Sequence, residues 1–183
     1  MEFPGVKALE DVGFTLKKGE IRALMGENGA GKSTLIKCLT GVNKFQKGEI
    51  FLDGQQIVNK DTMDAQNKGI STVYQEVNLC PNLSVAENLY IGREPLTKIG
   101  TVNRKEMNKR AATLMKELDL DVDVTRNLEE YSLALQQMIA IARAVDMDSK
   151  VLILDEPTSS LDENEVEKLF TMMRNLKAKG VAI

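Results

Sequence analysis

Two kinds of apolar pattern alternate along the chain. Short runs in which apolar residues crowd together read as strands: Ile21-Arg-Ala-Leu-Met25, Ile70-Ser-Thr-Val-Tyr74 and Val151-Leu-Ile-Leu154, the last apolar enough to be buried on both faces. Glu49–Ile57 reads as two strands turning on Asp53-Gly54, a dipeptide that accepts the positive φ angles of a tight hairpin. Longer stretches carry helical spacing instead. Met107, Ala111, Leu114, Met115 and Leu118 fall on one face. A helix beginning near Ser132 sets Leu135, Met138, Ile139, Ala142 and Val145 on one side. Near the end, Val166, Leu169, Phe170, Met173 and Leu176 line another, opened by Asp162 with Glu165 three residues on and stopped by Gly180. Ser84-Val-Ala-Glu87 is a capping box for a short helix. Strands therefore flank a helical block at about 84–146, which predicts an α/β domain with a helical insertion.

Composition narrows the class without changing that picture. A length of 183 residues corresponds to about one domain. Apolar residues make up 43% and charged residues 28%, an ordinary globular mix. A net charge of −3 argues against a dedicated nucleic-acid binder. Cys38 and Cys80 have no CxxC spacing and no histidine to pair with, which excludes the usual zinc sites and a disulfide framework and fits a reducing compartment. The longest apolar runs, such as Met138–Ala142, fall far short of the ~20 residues a membrane span needs. The opening MEFPGVKAL lacks a basic segment leading into an apolar one, so no signal peptide is expected.

The chemistry is concentrated at two strand ends. Gly26-Glu27-Asn28-Gly29-Ala30-Gly31-Lys32-Ser33, followed by Thr34, matches GxxxxGK[ST] between a strand and a helix. Glycines in that position let backbone N–H groups converge on an anion at a helix N-terminus; Lys32 neutralises the β- and γ-phosphates and the Ser33 hydroxyl ligates Mg²⁺. The bland alternative is a glycine-rich turn that merely ends a strand. Val151–Leu154 then delivers Asp155 and Glu156 at its C-terminal end, Asp155 to hold Mg²⁺ and Glu156 to polarise an attacking water. A nucleotide hydrolase needs both halves.

GENGAGKST, Tyr74-Gln75-Glu76 and LILDEPTSSLD resemble the Walker A, Q-loop, and Walker B plus D-loop of ABC transporter ATPases. FPGVKAL and YQEVNLCPNLSVAENLYIGRE are similar to the first nucleotide-binding cassette of the tandem-cassette ATPases that drive bacterial monosaccharide import of the ribose, galactose and xylose type. The likeness covers essentially the whole chain. It implies a P-loop NTPase fold, with a RecA-like core and small antiparallel β subdomain over 1–83 and 147–183, and a helical subdomain over 84–146. It also implies an ATPase with ATP and Mg²⁺ as cofactors, at the cytoplasmic face of the cell membrane. The implied partners are a second cassette (in tandem or as a homodimer), transmembrane permease subunits and, indirectly, a periplasmic or surface sugar-binding protein, with no nucleic acid. By the same resemblance Phe3 stands where the family stacks an aromatic on adenine, with core packing as the alternative. Gln75 stands where the Q-loop glutamine contacts Mg²⁺, and Asp162 closes the D-loop while also serving as a helix cap.

Two features depart from the family pattern. Where the family reads LSGGQ, this chain has Tyr131-Ser132-Leu133-Ala134-Leu135. Ser132 and a helix N-terminus remain to face a partner cassette's ATP, but both glycines are replaced by residues with Cβ atoms, which predicts a weakened composite site. The family's switch histidine follows a strand that lies between the Walker A and Walker B strands. Here Gly180-Val-Ala-Ile183 ends the sequence as that strand begins, and the 183 residues contain no histidine; a truncated product is the expectation. Two other readings stay open: a cassette that binds ATP without turnover, and a non-transport ABC-type ATPase of the DNA-repair or translation-factor kind.

Overall fold

A computed structural model describes residues 9–27, 29–74, 79–159 and 161–183, together with the backbone of 2–3 and 6–7. In chain order the elements are β1 (Glu2–Phe3), β2 (Val6–Lys7), α1 (Lys32–Leu39), β3 (Ile50–Leu52), β4 (Gln55–Ile57), α2 (Thr62–Asn67), β5 (Ile70–Val73), α3 (Val85–Tyr90), α4 (Arg104–Glu117), α5 (Leu133–Asp146), β6 (Val151–Leu154) and α6 (Glu163–Ala178). The α/β expectation holds.

Local chemistry accounts for most of these elements. Asp53 and Gly54 both take positive φ, 52° and 76°, the paired left-handed conformation that lets β3 and β4 fold back in register. Ser84 and Glu87 form the reciprocal capping box that opens α3, as do Asp162 and Glu165 for α6. The buried Asn88 side chain clamps the segment entering α3, accepting from the Cys80 amide at 2.7 Å and donating to the carbonyls of Cys80, Leu83 and Ser84.

The core lies among α3, α4, α5, α6 and β6, with Leu89, Met115, Leu128, Met138, Ile139, Ile141, Leu152, Leu169 and Leu176 fully enclosed. Each such side chain stabilises the fold by about 1.5–3 kcal/mol. Three details differ from the apolar pattern. On α5 burial is not confined to one side: Ala134, Gln137 and Ile141 are enclosed as well, because α3, α4 and β5 pack around the helix, while Leu135 and Val145 are only half-buried. On α6 the buried face is Leu169, Met172, Met173 and Leu176; Phe170 is exposed, since the spacing of three and four residues places Met172 on the stripe instead. On β6 only Leu152 is fully buried, and Val151 and Ile153, on the opposite face of the pleat, are half-exposed.

The parallel sheet sets the position of the site. β5 and β6 pair in parallel from Ile70–Val151 to Val73–Leu154, and the Asp155 amide extends the ladder to the Val73 carbonyl at 3.0 Å. On the other side of β6, Ala182 stands opposite Val151, with its amide on the Lys150 carbonyl and its carbonyl receiving the Leu152 amide. Ile183 continues outward: its amide reaches the Glu20 carbonyl and its carbonyl receives the Arg22 amide, both at 2.8 Å. Val181–Ile183 thus lies between the 20–22 segment and β6, where the resemblance puts the strand after α6. Ile21–Met25, however, does not form a strand. Pairing reaches no farther than Arg22 among the described residues, and Leu24 and Met25 are exposed; an extended segment becomes a strand only where a neighbour supplies a ladder.

Candidate functional site

The register just described brings the two motif halves to one end of the sheet. Leu152, Ile183 and Ile21 share one level across three parallel segments. Asp155 lies three residues beyond that level, at the C-terminal edge on which open parallel sheets bind ligands, and the 20–22 segment runs in the same direction before leading into Gly26.

At that edge the glycine loop enters α1 in an unusual way. Gly31 is the N-cap residue, at φ 91° and ψ 4°, and supplies no side-chain cap. This left-handed conformation would strain a residue with a Cβ. The first intrahelical bond runs from the Leu35 amide to the Gly31 carbonyl, so the amides of Lys32, Ser33 and Thr34 precede it and point out of the helix end. Gly29 is also left-handed, at φ 86°, and a Cβ at Gly26 would crowd the Ala30 methyl at 3.2 Å. The Lys32 ammonium folds back over the loop, donating to the Gly26 carbonyl at 2.5 Å and the Glu27 carbonyl at 3.0 Å. A helix N-terminus, outward-pointing amides and a cation within the same turn are a combination chemically suited to an anion.

Asp155 is half-buried at the end of β6 and Glu156 exposed beyond it. Glu156 takes φ 45°, a left-handed conformation that a non-glycine residue adopts at a cost of order 1–3 kcal/mol. Nothing in the sequence signals this strain. Ser33 and Asp155 together offer a hydroxyl and carboxylate oxygens, hard donors of the kind Mg²⁺ takes.

The remaining candidates are dispersed. Ser132 caps α5 by accepting the Leu135 amide at 3.4 Å, and its hydroxyl also donates to the Glu165 carboxylate at 3.3 Å. That carboxylate closes the α6 capping box as well, accepting from the Asp162 amide at 3.2 Å. Sequence reasoning assigns Glu165 to the cap of α6 alone; its contact with a residue 33 positions earlier has no local signal. Leu133 and Ala134 occupy the first turn of α5, Leu133 exposed and Ala134 buried. Asp162 is the N-cap of α6. Phe3 stands in β1, opposite Val6 in backbone register. Asn28 and Gln75 lie outside the described residues.

The family model described as ABC transporter matches residues 9–159. The galactofuranose transporter ATP-binding protein YtfR of Escherichia coli (strain K12) is 59% identical over 181 residues, covering 99% of this chain and 36% of that protein. The fructose import ATP-binding protein FruK of Bifidobacterium longum (strain NCC 2705) is 54% identical over 184 residues, covering 100% and 36%. The chain therefore spans about a third of the length of these curated relatives. Among solved structures, the ADP conformation of an ATP-binding cassette of an ABC transporter superposes with a TM-score of 0.83 at 27% identity, covering 99% of this chain and 75% of that one. A dimeric cassette in a post-hydrolysis state, bound to ADP and Pi, superposes with a TM-score of 0.75 at 28% identity, covering 95% and 77%.

Proposed function

The chain belongs to the ABC transporter family, and on that premise we propose that it is the ATP-binding and ATP-hydrolysing cassette of an importer for a monosaccharide. The observation that carries the reading is the α1 end: three outward amides behind a left-handed Gly31, with Lys32 folded onto the loop carbonyls before them, and an Asp155–Glu156 pair at the C-terminal end of β6. Phosphates displace the Lys32 ammonium from the loop carbonyls and take both the ammonium and the amides of Lys32, Ser33 and Thr34, with Gly26 to Gly31 (Glu27, Asn28, Gly29 and Ala30 between them) wrapping the chain. Ser33, Asp155 and Gln75 would hold Mg²⁺, which would supply neutralisation of the phosphate charge. Glu156 orients the attacking water and Phe3 stacks on the base. Ser132 and the Asp162 loop face the ATP of a second cassette.

The sugar substrate is supported by the names of the relatives, galactofuranose and fructose transport among them. Placement at the cytoplasmic membrane face, through permease subunits fed by a sugar-binding protein, follows from the same reading. Residues 84–146 then form the helical subdomain, a division supported by backbone bonds that return the 124–128 segment to Leu83, Val85 and Ala86.

Glu156→Gln is expected to leave ATP binding intact while turnover falls by at least about tenfold, a small share of the 10²–10⁴ that proton handling usually contributes. Fluorescent-nucleotide titration and single-turnover hydrolysis read the two quantities separately; equal turnover in the variant removes Glu156 from the role. A second reading, ATP binding without hydrolysis, is favoured by the Cβ atoms of Leu133 and Ala134 in the first turn of α5. Lys32-dependent hydrolysis by the wild-type chain excludes it.

A further inference from the structure

Between α3 and α4 the chain forms a pinned hairpin that the nucleotide site does not use. Leu96 pairs with Val102, the Thr97 amide donates to the Thr101 carbonyl at 2.8 Å, and the two threonine hydroxyls meet at 2.8 Å. Gly100, at φ 83°, closes the turn, and the Asn103 amide ties its base to the Pro95 carbonyl at 2.7 Å. This tightly bonded ribbon presents apolar side chains to solvent: Ile99 at its apex is 85% exposed, Leu96 62% and Val102 47%. Directly opposed residues share a face, so Leu96 and Val102 form one side and Ile99 crowns it. The surrounding charge is one-sided. Residues 93–105 carry four cations and one carboxylate in a chain of net charge −3. Lys98 and Lys105 are exposed and make no ion pair among the described residues, and Arg104 reaches Glu87 only at 3.6 Å. The single acid, Glu94, is half-buried and accepts the Gly92 amide.

We propose that the 95–102 hairpin is a contact for an anionic lipid surface, with Ile99 and Leu96 entering the headgroup boundary and Lys98, Arg104 and Lys105 meeting lipid phosphates. Two observations select this occupant. The unpaired charge is cationic, complementary to an anionic leaflet. The apolar patch is the apex of a ribbon with no groove walls to hold a partner helix, and a lipid interface needs none. The inference is independent of ATP hydrolysis and of permease binding.

Co-sedimentation of the chain with phosphatidylcholine vesicles, with and without 30% phosphatidylglycerol, tests it. Binding is expected to the anionic vesicles alone and to weaken with added salt. Lys98→Gln with Lys105→Gln should lower partitioning roughly 25-fold, taking a factor of about five for each surface charge. Leu96→Asn with Ile99→Asp should abolish binding, while unchanged nucleotide affinity shows that each variant is folded. Equal sedimentation with both vesicle types, or variants that bind like the wild type, overturns the proposal. So does a hairpin variant that changes the oligomeric state while the wild type ignores vesicles, since that assigns the patch to a protein partner.

Discussion

The N-termini of α1 and α5 are both helix ends to which a phosphate-facing role can be given, yet they are built in opposite ways. At α1 the cap position is a glycine with no side-chain cap among the described residues, and the Lys32 ammonium folds back onto the loop carbonyls of Gly26 and Glu27. At α5 the cap position is Ser132, which accepts the Leu135 amide and donates its hydroxyl to the Glu165 carboxylate. α2, α3, α4 and α6 resemble α5 in this respect: Asp61, Ser84, Asn103 and Asp162 each accept an amide of the first turn. A capped end is satisfied within the fold and gains about 1 kcal/mol from it. An uncapped end leaves its donors and half of a positive charge for something outside the chain. On the proposed reading, α1 can receive an anion without rearranging a cap, whereas α5 must first give up a carboxylate neighbour to take one.

The largest test of this contrast is Lys32→Ala. Loss of a charged hydrogen-bond donor to phosphate is expected to weaken ATP by about 3 kcal/mol, roughly a hundredfold in Kd, with no change in the thermal midpoint. Isothermal titration reads it, and an unchanged Kd would leave the α1 end without its assigned ligand. Next comes Gly31→Asp, which forces onto α1 the kind of cap that α2 and α6 carry. The added carboxylate sits beside the phosphate position and the left-handed φ strains it. ATP affinity is expected to fall by about tenfold and chemical-denaturation stability by about 1 kcal/mol. Ser132→Ala should do the reverse: stability falls by about 1 kcal/mol in urea titration while ATP affinity of the single chain stays where it was. A loss of affinity there would merge the two ends into one site and end the comparison. The smallest effect belongs to the Ser132–Glu165 contact. A double-mutant cycle of Ser132→Ala with Glu165→Gln is expected to return a coupling of about 0.5 kcal/mol, the low end for a hydrogen bond, because the contact is exposed and 3.3 Å long.

What could be read from the residues follows from how local each feature is. The β3–β4 turn is a matter of two adjacent residues that tolerate positive φ. The caps of α3 and α6 need only a polar side chain and a glutamate three positions on. The phosphate loop needs glycines at fixed offsets before a lysine and a hydroxyl. Periodicity was less complete. It placed Leu169, Met173 and Leu176 on the core side of α6 but also Phe170, which the structure leaves exposed in favour of Met172, because the stripe is centred by what packs against it. It gave α5 a single apolar side, although a helix surrounded by α3, α4 and β5 is covered on more than one.

The segment Ile21–Met25 marks the boundary. Its apolar composition predicts a strand, but a strand exists only as a ladder, and here the ladder is Val181–Ile183 reaching no farther than Arg22. The same reach across sequence brings Asp155 to the end of the β5–β6 ladder and Glu165 to Ser132. Residue type and spacing settle which groups can bind phosphate, metal and water, since those capacities reside in single side chains and in turns a few residues long. Which of them share one edge, and which carboxylate already stands at a helix end, depends on contacts between residues dozens to more than a hundred positions apart. Those contacts are chosen by the packing of the whole core, and no stretch of the chain carries that information alone.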